Sequence, residues 1–216
     1  MFKDLQNTEL LLEYAEAHTT SELPVLQNLN RETHLTQVYP RMLAGQMQGT
    51  FLRFISGMMK PERILEIGTF TGYSALNLAF GLSDGGILHT IEVDPEQEEI
   101  INRYIHEAGF ENRITLHIGP ALEIIPTLNL TWDLVYIDAD KPNYLNYYNL
   151  VFQQVRPGGF ILADNALWDG KVIYDRKKMN RDTRGIDTFN TFIQNDDRVE
   201  NMILPFRDGI MIVRKK

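Results

Sequence analysis

The sequence predicts an α/β fold: a seven-stranded, mostly parallel sheet with helices on both faces, ending in an antiparallel hairpin. Three observations carry this reading. The stretch Arg63–Tyr73, RILEIGTFTGY, has the form of a short buried strand, a glycine turn and a helix start. From there to residue 163, short apolar runs alternate with helical periodicities, the pattern of βα units around a parallel sheet. The runs Val199–Phe206 and Ile210–Lys215 are separated only by Arg207-Asp208-Gly209, and Asp-Gly is a hairpin signal.

Taken in order, residues 4–18 show an amphipathic helical pattern and residues 22–36 a second helix, with a break at Tyr39-Pro40. Arg41–Lys60 carries Met47, Phe51, Phe54, Ile55 and Met58 at helical spacing, and Pro61 ends it. Ile64, Leu65 and Ile67 make the first strand, Gly68 and Gly72 bracket the turn, and Ser74-Ala75-Leu76 runs into a helix. Strands follow at Ile87–Val93, Ile114–Ile118, Trp132–Ile137 and Phe160–Ala163, the last after a Pro157-Gly158-Gly159 turn. Helices are expected at Pro95–Ala108, with Pro at its start, at Ala121–Ile125, at Tyr144–Val155 and at Thr183–Gln194. Residues 165–181 read as a long polar loop.

A chain of 216 residues fits one domain over 1–216, with N-terminal helices (1–60) covering the cofactor or subunit side of a core at 61–216. The absence of cysteine excludes disulfides and thiolate metal sites, leaving oxygen or imidazole ligands. The five histidines show no metal-ligand spacing. Acids interrupt the N-terminal apolar residues, unlike a signal peptide, and no apolar run approaches the roughly 18 residues that span a bilayer. The expectation is a soluble, cytoplasmic protein. A net charge of −8 disfavours broad nucleic-acid binding, although Lys171, Arg176, Lys177, Lys178, Arg181 and Arg184 form one basic cluster.

Ligands of open α/β sheets bind beyond the carboxyl ends of the strands, where glycine lets the backbone approach closely. The G-x-x-x-G spacing here is not a dinucleotide fingerprint, and a tight strand-to-helix turn in any α/β protein would look the same. Glu92 ends the second strand about 20 residues after the turn, where an acid can accept hydrogen bonds from a ribose diol. Asp138, Asp164 and Asn165 follow the fourth and fifth strands. Three oxygen ligands, two of them anionic, suit a hard divalent cation. Lys141, three residues past Asp138, is placed to act as a base beside it. The plainer alternative makes the two aspartates helix caps and the lysine a solvated partner.

Together LEIGTFTGYSA, IEVDP, YIDADKPNY, RPGGFILADNALWDG and LPFRDGI resemble the cation-dependent O-methyltransferases of the caffeoyl-CoA and catechol type, over roughly residues 35–216. The resemblance implies a Rossmann-like, S-adenosylmethionine-dependent fold. It places cofactor contacts at Ala44, Gly45, Glu66, Gly68, Tyr73, Ser74, Glu92, Ala121 and Asp138. It places metal ligands at Asp138, Asp164 and Asn165, with magnesium, calcium or manganese all suited, and catalytic roles at Lys141 and Asp138. Ala139 and Asp140 stand where the catechol enzyme has histidine and tryptophan, so the likeness is to the caffeoyl-CoA and bacterial branch. The implied reaction is direct methyl transfer to a metal-chelating vicinal diol on a phenolic small molecule, by a homodimer. Trp168 is a candidate wall of the acceptor pocket, with Arg184 and Arg207 as candidate anchors. Two other readings stay open: a transfer-RNA hydroxyuridine methyltransferase of the same family, and a non-catalytic or nicotinamide-dependent protein on the same sheet.

Overall fold

The computed structural model describes residues 5–216; the start of the expected first helix at residue 4 lies outside them. The elements are α1 (Leu5–Ala17), α2 (Pro24–Thr36), α3 (Gly45–Met59), β1 (Arg63–Ile67), α4 (Tyr73–Ala79), β2 (Ile87–Glu92), α5 (Glu98–Glu107), β3 (Ile114–Ile118), α6 (Ala121–Leu128), β4 (Trp132–Ile137), α7 (Tyr144–Phe152), β5 (Val155–Ala163), α8 (Arg181–Gln194), β6 (Val199–Leu204) and β7 (Ile210–Lys215). The seven strands form one sheet in the order β3-β2-β1-β4-β5-β7-β6. β1 to β5 pair in parallel, and β7 pairs antiparallel with both β5 and β6. The strand order reverses beside β1, so β1 and β4 flank the position where open α/β sheets bind ligands.

Both faces of the sheet are covered. One core layer gathers Leu65, Ile67, Val135 and Ile137 with Tyr144, Tyr148 and Phe189 of α7 and α8. The other sets Ile64, Leu134 and Tyr136 against Leu52, Leu76 and Ile101 of α3, α4 and α5. Each such fully buried apolar side chain contributes about 1.5–3 kcal/mol relative to exposure, so the strand ends are held by a stiff platform.

Several boundaries differ from expectation. The helix expected from Arg41 begins at Gly45, because Pro40–Met42 winds as a separate 3₁₀ turn. The Pro95–Ala108 helix likewise opens with a 3₁₀ turn at Pro95–Gln97. Pro157–Gly159 does not precede β5 but lies inside it, bulging out where the β4–β5 register shifts between Trp132 and Leu134. The loop at 165–181 contains two 3₁₀ turns, Lys171–Ile173 and Arg176–Lys178.

The apolar spacing in α3 also misleads. Its buried residues are Gln48, Gly49, Thr50, Leu52 and Ser56; of the expected apolar positions Phe51 and Ile55 pack against the core, whereas Phe54 and Met58 are exposed. α3 packs so closely on α4 that a Cβ on Gly49 would lie 2.6 Å from the Asn77 side chain and 2.7 Å from Tyr73. Only a small-residue face permits that approach.

Candidate active site at the carboxyl edge of the sheet

The edge has two halves. In the first, β1 delivers Glu66 and then Gly68, whose φ of +94° belongs to glycine's range. A Cβ there would sit 2.1 Å from the Asp138 carbonyl oxygen, so Gly68 is also the contact point between the two halves. Glu92, at the end of β2, is buried rather than solvated. Its carboxylate accepts from the backbone amides of Thr69 (3.2 Å), Phe70 (2.7 Å) and Asp94 (2.9 Å). The acid thereby fixes the glycine turn, in which Phe70 takes a left-handed φ of +53°.

Glu66 is fully buried, and burial pushes its carboxyl up to about 8. Thr90 donates to one oxygen. The other has no partner among the described residues, and the Ser74 hydroxyl lies near the carboxyl without hydrogen-bonding geometry. An orphaned, buried carboxyl oxygen beside the glycine turn is what a polar ligand group would satisfy. Tyr73 is buried and donates its hydroxyl to Glu22, which ties the start of α4 to the segment before α2. Ala121 opens α6. Gly45 opens α3 with φ of +74°, and the Arg207 guanidinium lies 3.3 Å from where its Cβ would be.

In the second half, β4 and β5 pair in register up to Ile137 and Ala163, so Asp138 and Asp164 emerge side by side. The backbone amide of Asp138 donates to Ile67 at 2.8 Å and that of Asp164 to Ile137 at 2.9 Å. One Asp164 oxygen accepts from Gln48 Nε2 (2.6 Å) and the Tyr136 hydroxyl (3.2 Å), the other from the Asn165 amide (2.8 Å). Burial, and then the Asp138 charge, pushes the Asp164 carboxyl up to about 6. Lys141 Nζ donates to Asp138 Oδ1 at 2.9 Å and to the Tyr144 hydroxyl at 2.7 Å. The buried Tyr144 phenol is held far above its usual range by desolvation and by three neighbouring aspartates. Asn165 donates its side-chain amide to Asp208 Oδ2 at 3.1 Å.

The donor set suits a hard cation: two adjacent carboxylates and one amide oxygen, with no sulfur or imidazole. Asp164 and Asp138 repel one another in a buried setting, which a bound positive charge would relieve.

Trp168 lies across this half, its ring 5.6 Å from Lys141 Nζ and 5.7 Å from Lys171 Nζ. Its indole N–H is buried and has no acceptor among the described residues. Arg207 sits on the hairpin turn against Gly45, whereas Arg184 is exposed on α8 with no hydrogen bond or ion pair to these groups among the described residues. The basic cluster is partly neutralised, with Lys171 paired to Asp169 and Arg176 to Asp187.

Gln48, Tyr136, Tyr144 and Asp208 join the site although none is among the candidate site residues that the sequence points to. Gln48 had a signal: a polar residue four before the fully buried Leu52 on one helix face. The histidines are also not all scattered. His89 and His117 meet across β2 and β3, Nδ1 to Nε2 at 2.9 Å with stacked rings. Two imidazoles alone do not make a metal site, and among the described residues no group of three or more His, Asp or Glu could hold an ion.

The sequence profile of the O-methyltransferase family matches residues 16–216. A caffeoyl-CoA O-methyltransferase of Nicotiana tabacum is 30% identical over 225 residues, covering 99% of this chain and 94% of its own length. A catechol O-methyltransferase of Niastella koreensis is 33% identical over 169 residues, 76% of each chain. The O-methyltransferase of Bacillus cereus, solved in complex with SAH, superposes with a TM-score of 0.89 at 28% identity, covering 94% of this chain and 96% of that one. The chain belongs to the O-methyltransferase family, enzymes that move a methyl group from S-adenosylmethionine to an oxygen atom.

Proposed function

We propose that this O-methyltransferase methylates one hydroxyl of a vicinal-diol phenolic small molecule with the help of a divalent cation. The observation that carries the reading is the convergence of Asp138, Asp164, Asn165 and Lys141 on one strand-end edge beside the glycine turn. S-adenosylmethionine, which supplies an electrophilic methyl on a sulfonium, is assigned to the first half. Glu92 is the candidate ribose acceptor, Gly68, Tyr73 and Ser74 the turn contacts, and Ala121 the adenine contact. Ala44 and Gly45 take the methionine end, where the unpartnered Glu66 oxygen offers a further polar contact. The cation is assigned to Asp138, Asp164 and Asn165, where it supplies Lewis acidity to a chelating hydroxyl.

Within that arrangement Lys141, as the neutral amine that a cation bound beside it would favour, would take the acceptor's proton at Nζ. Asp138 and Tyr144 fix that nitrogen, and the high-lying phenol of Tyr144 holds its own proton instead of competing. Trp168 offers a flat wall for an aromatic acceptor. The rest of the contribution is alignment of oxygen, methyl and sulfur. Transfer RNA as acceptor has less support, because the acidic chain's basic cluster is partly paired with its own aspartates.

We also propose that residues 1–216 form one domain and that the exposed Leu10, Leu11, Leu12 and Tyr14 of α1, with Phe54 and Met58 of α3, are covered by a second copy. Light scattering giving a monomer's mass at micromolar concentration would remove the dimer. Among the described residues no helix is long and apolar enough to cross a membrane.

The deciding assay measures label transfer from S-adenosylmethionine to catechols, caffeoyl esters and transfer RNA, with magnesium and with chelator. Magnesium-dependent labelling of a diol is expected. Labelling of RNA alone, or labelling of a diol indifferent to chelator, overturns the acceptor or the cation respectively.

A further inference from the structure

We propose that Asp208 is a positioning residue for Asn165, selecting the amide orientation that leaves the Asn165 side-chain oxygen free as a ligand. The inference rests on the cation reading above. Asparagine's two amide edges are nearly the same shape, and a half-turn about its last torsion exchanges a ligand for a pair of donors that repel a cation. A carboxylate only accepts, so the edge of Asn165 that meets Asp208 has to be the NH₂. The contact is 3.1 Å, and among the described residues Asn165 Oδ1 accepts no hydrogen bond.

Asp208 is itself prevented from turning. Its Oδ1 accepts from the Asp169 backbone amide at 2.5 Å. The hairpin turn and the loop after β5 are further joined by Ala166 N to Gly209 O and Leu167 N to Asp208 O, both 2.8 Å. They touch so closely that a Cβ on Gly209 would lie 2.5 Å from the Leu167 side chain. Asn165, Trp168 and Asp169 all hold left-handed φ values of 56°, 47° and 52°. Such conformations persist where surrounding contacts over-determine them, and here Asp208 holds Asn165 and Asp169, while the Trp168 amide donates to the Asn165 carbonyl. The Asp-Gly pair that makes the hairpin therefore also sets a ligand of the neighbouring strand. Outer partners of this kind typically change metal affinity about 10–100-fold.

The test titrates manganese(II) into the full-length protein with S-adenosylhomocysteine present, by calorimetry, for wild type, Asp208→Ala and Asp208→Asn. S-adenosylhomocysteine is titrated separately. Asp208→Ala is expected to weaken manganese about 10–100-fold while S-adenosylhomocysteine binding stays within about threefold, a split that general loosening of the loop would not give. Asp208→Ala binding manganese like wild type overturns the proposal, as does an equal loss of both ligands. If Asp208→Ala does not fold, Asp208→Asn decides. It keeps the volume but presents an NH₂ to one of two neighbouring donors, and a wild-type manganese affinity there also overturns it. A wild type that takes up no manganese is a separate result: it removes the cation reading itself.

Discussion

The two halves of the carboxyl edge solve the same problem differently. In the glycine-turn half, the carboxylate of Glu92 is satisfied by three backbone amides, one from its own neighbourhood and two from the turn it faces. In the aspartate half, Asp138, Asp164 and Asn165 are held largely by side chains: Gln48 of α3, Tyr136 of β4 and Asp208 reach Asp164 and Asn165 from other parts of the chain, and Lys141 reaches Asp138 from three residues away. The first arrangement links two successive βα units through backbone amides and so needs no particular side chain besides the acid. The second is assembled only by folding, and its parts look ordinary until they meet.

The comparison breaks most completely at the residue both halves share. Gly68→Ala places a methyl against the Asp138 carbonyl at a left-handed φ. It should cost at least about 3 kcal/mol and impair both ligand sites together, read by denaturant unfolding and by calorimetry. A stable variant that lost one ligand only would mean that the halves do not share this wall. Asp164→Ala comes next. It should lower diol methylation on the order of a thousandfold through lost charge stabilisation, with S-adenosylhomocysteine still bound; unchanged activity would end the cation assignment.

Glu92→Gln sharpens the contrast from the other side. The NH₂ then meets either the Asp94 amide or both turn amides, those of Thr69 and Phe70, so S-adenosylhomocysteine affinity should fall about 10–100-fold, in line with about 1.5–3 kcal/mol for a hydrogen bond to a charged group. Metal affinity should hold, and a parallel loss of metal would show that the halves are coupled.

The smallest effect concerns His89 and His117 on the glycine-turn side of the sheet. Burial, then the charges of His117 and Arg63, lowers His89 from 6.5 to about 4, and burial also lowers His117. A depressed folded pKa means stability that is present above pH 6.5 and lost as pH falls towards and through about 4. The loss is on the order of 1 kcal/mol, because both rings are partly exposed and solvent screens the added charge. Melting temperature should therefore decline between pH 6.5 and 4, and less steeply in His89→Gln; identical slopes would count against the pair.

The contrast also explains what was legible in the sequence. Strand and helix alternation, the glycine turn and the Asp-Gly hairpin are local signals, and each of the seven strands overlaps its signal, although β5 starts at Val155, the last residue of the helix expected before it. Asp138, Asp164 and Asn165 were visible because strand ends in a parallel sheet have a fixed address. Their supports were not. Asp208 looked only like turn chemistry, and Tyr136 like one more buried aromatic. The apolar spacing of α3 tells only part of its packing: Phe51 and Ile55 meet the core, but the closest approach to α4 runs through the narrowness of Gly49 rather than through hydrophobicity. Pro157–Gly159 was misread because a bulge and a turn use the same residues.

The loop after β5 is anchored at both ends. Residues 165–169 are stapled to the Asp208 turn, and past Asn180, which caps α8, Gly185 packs so tightly that its Cβ would lie 2.4 Å from the Lys141 carbonyl. Between these anchors, Ile173 to Lys178 are all exposed. Among the described residues that segment bonds to α8 only through Arg176, paired with Asp187 and bonded to Thr188, and none of its side chains bonds to the groups gathered at the strand ends. Shortening or rewriting it around Arg176 should therefore leave those groups where they are.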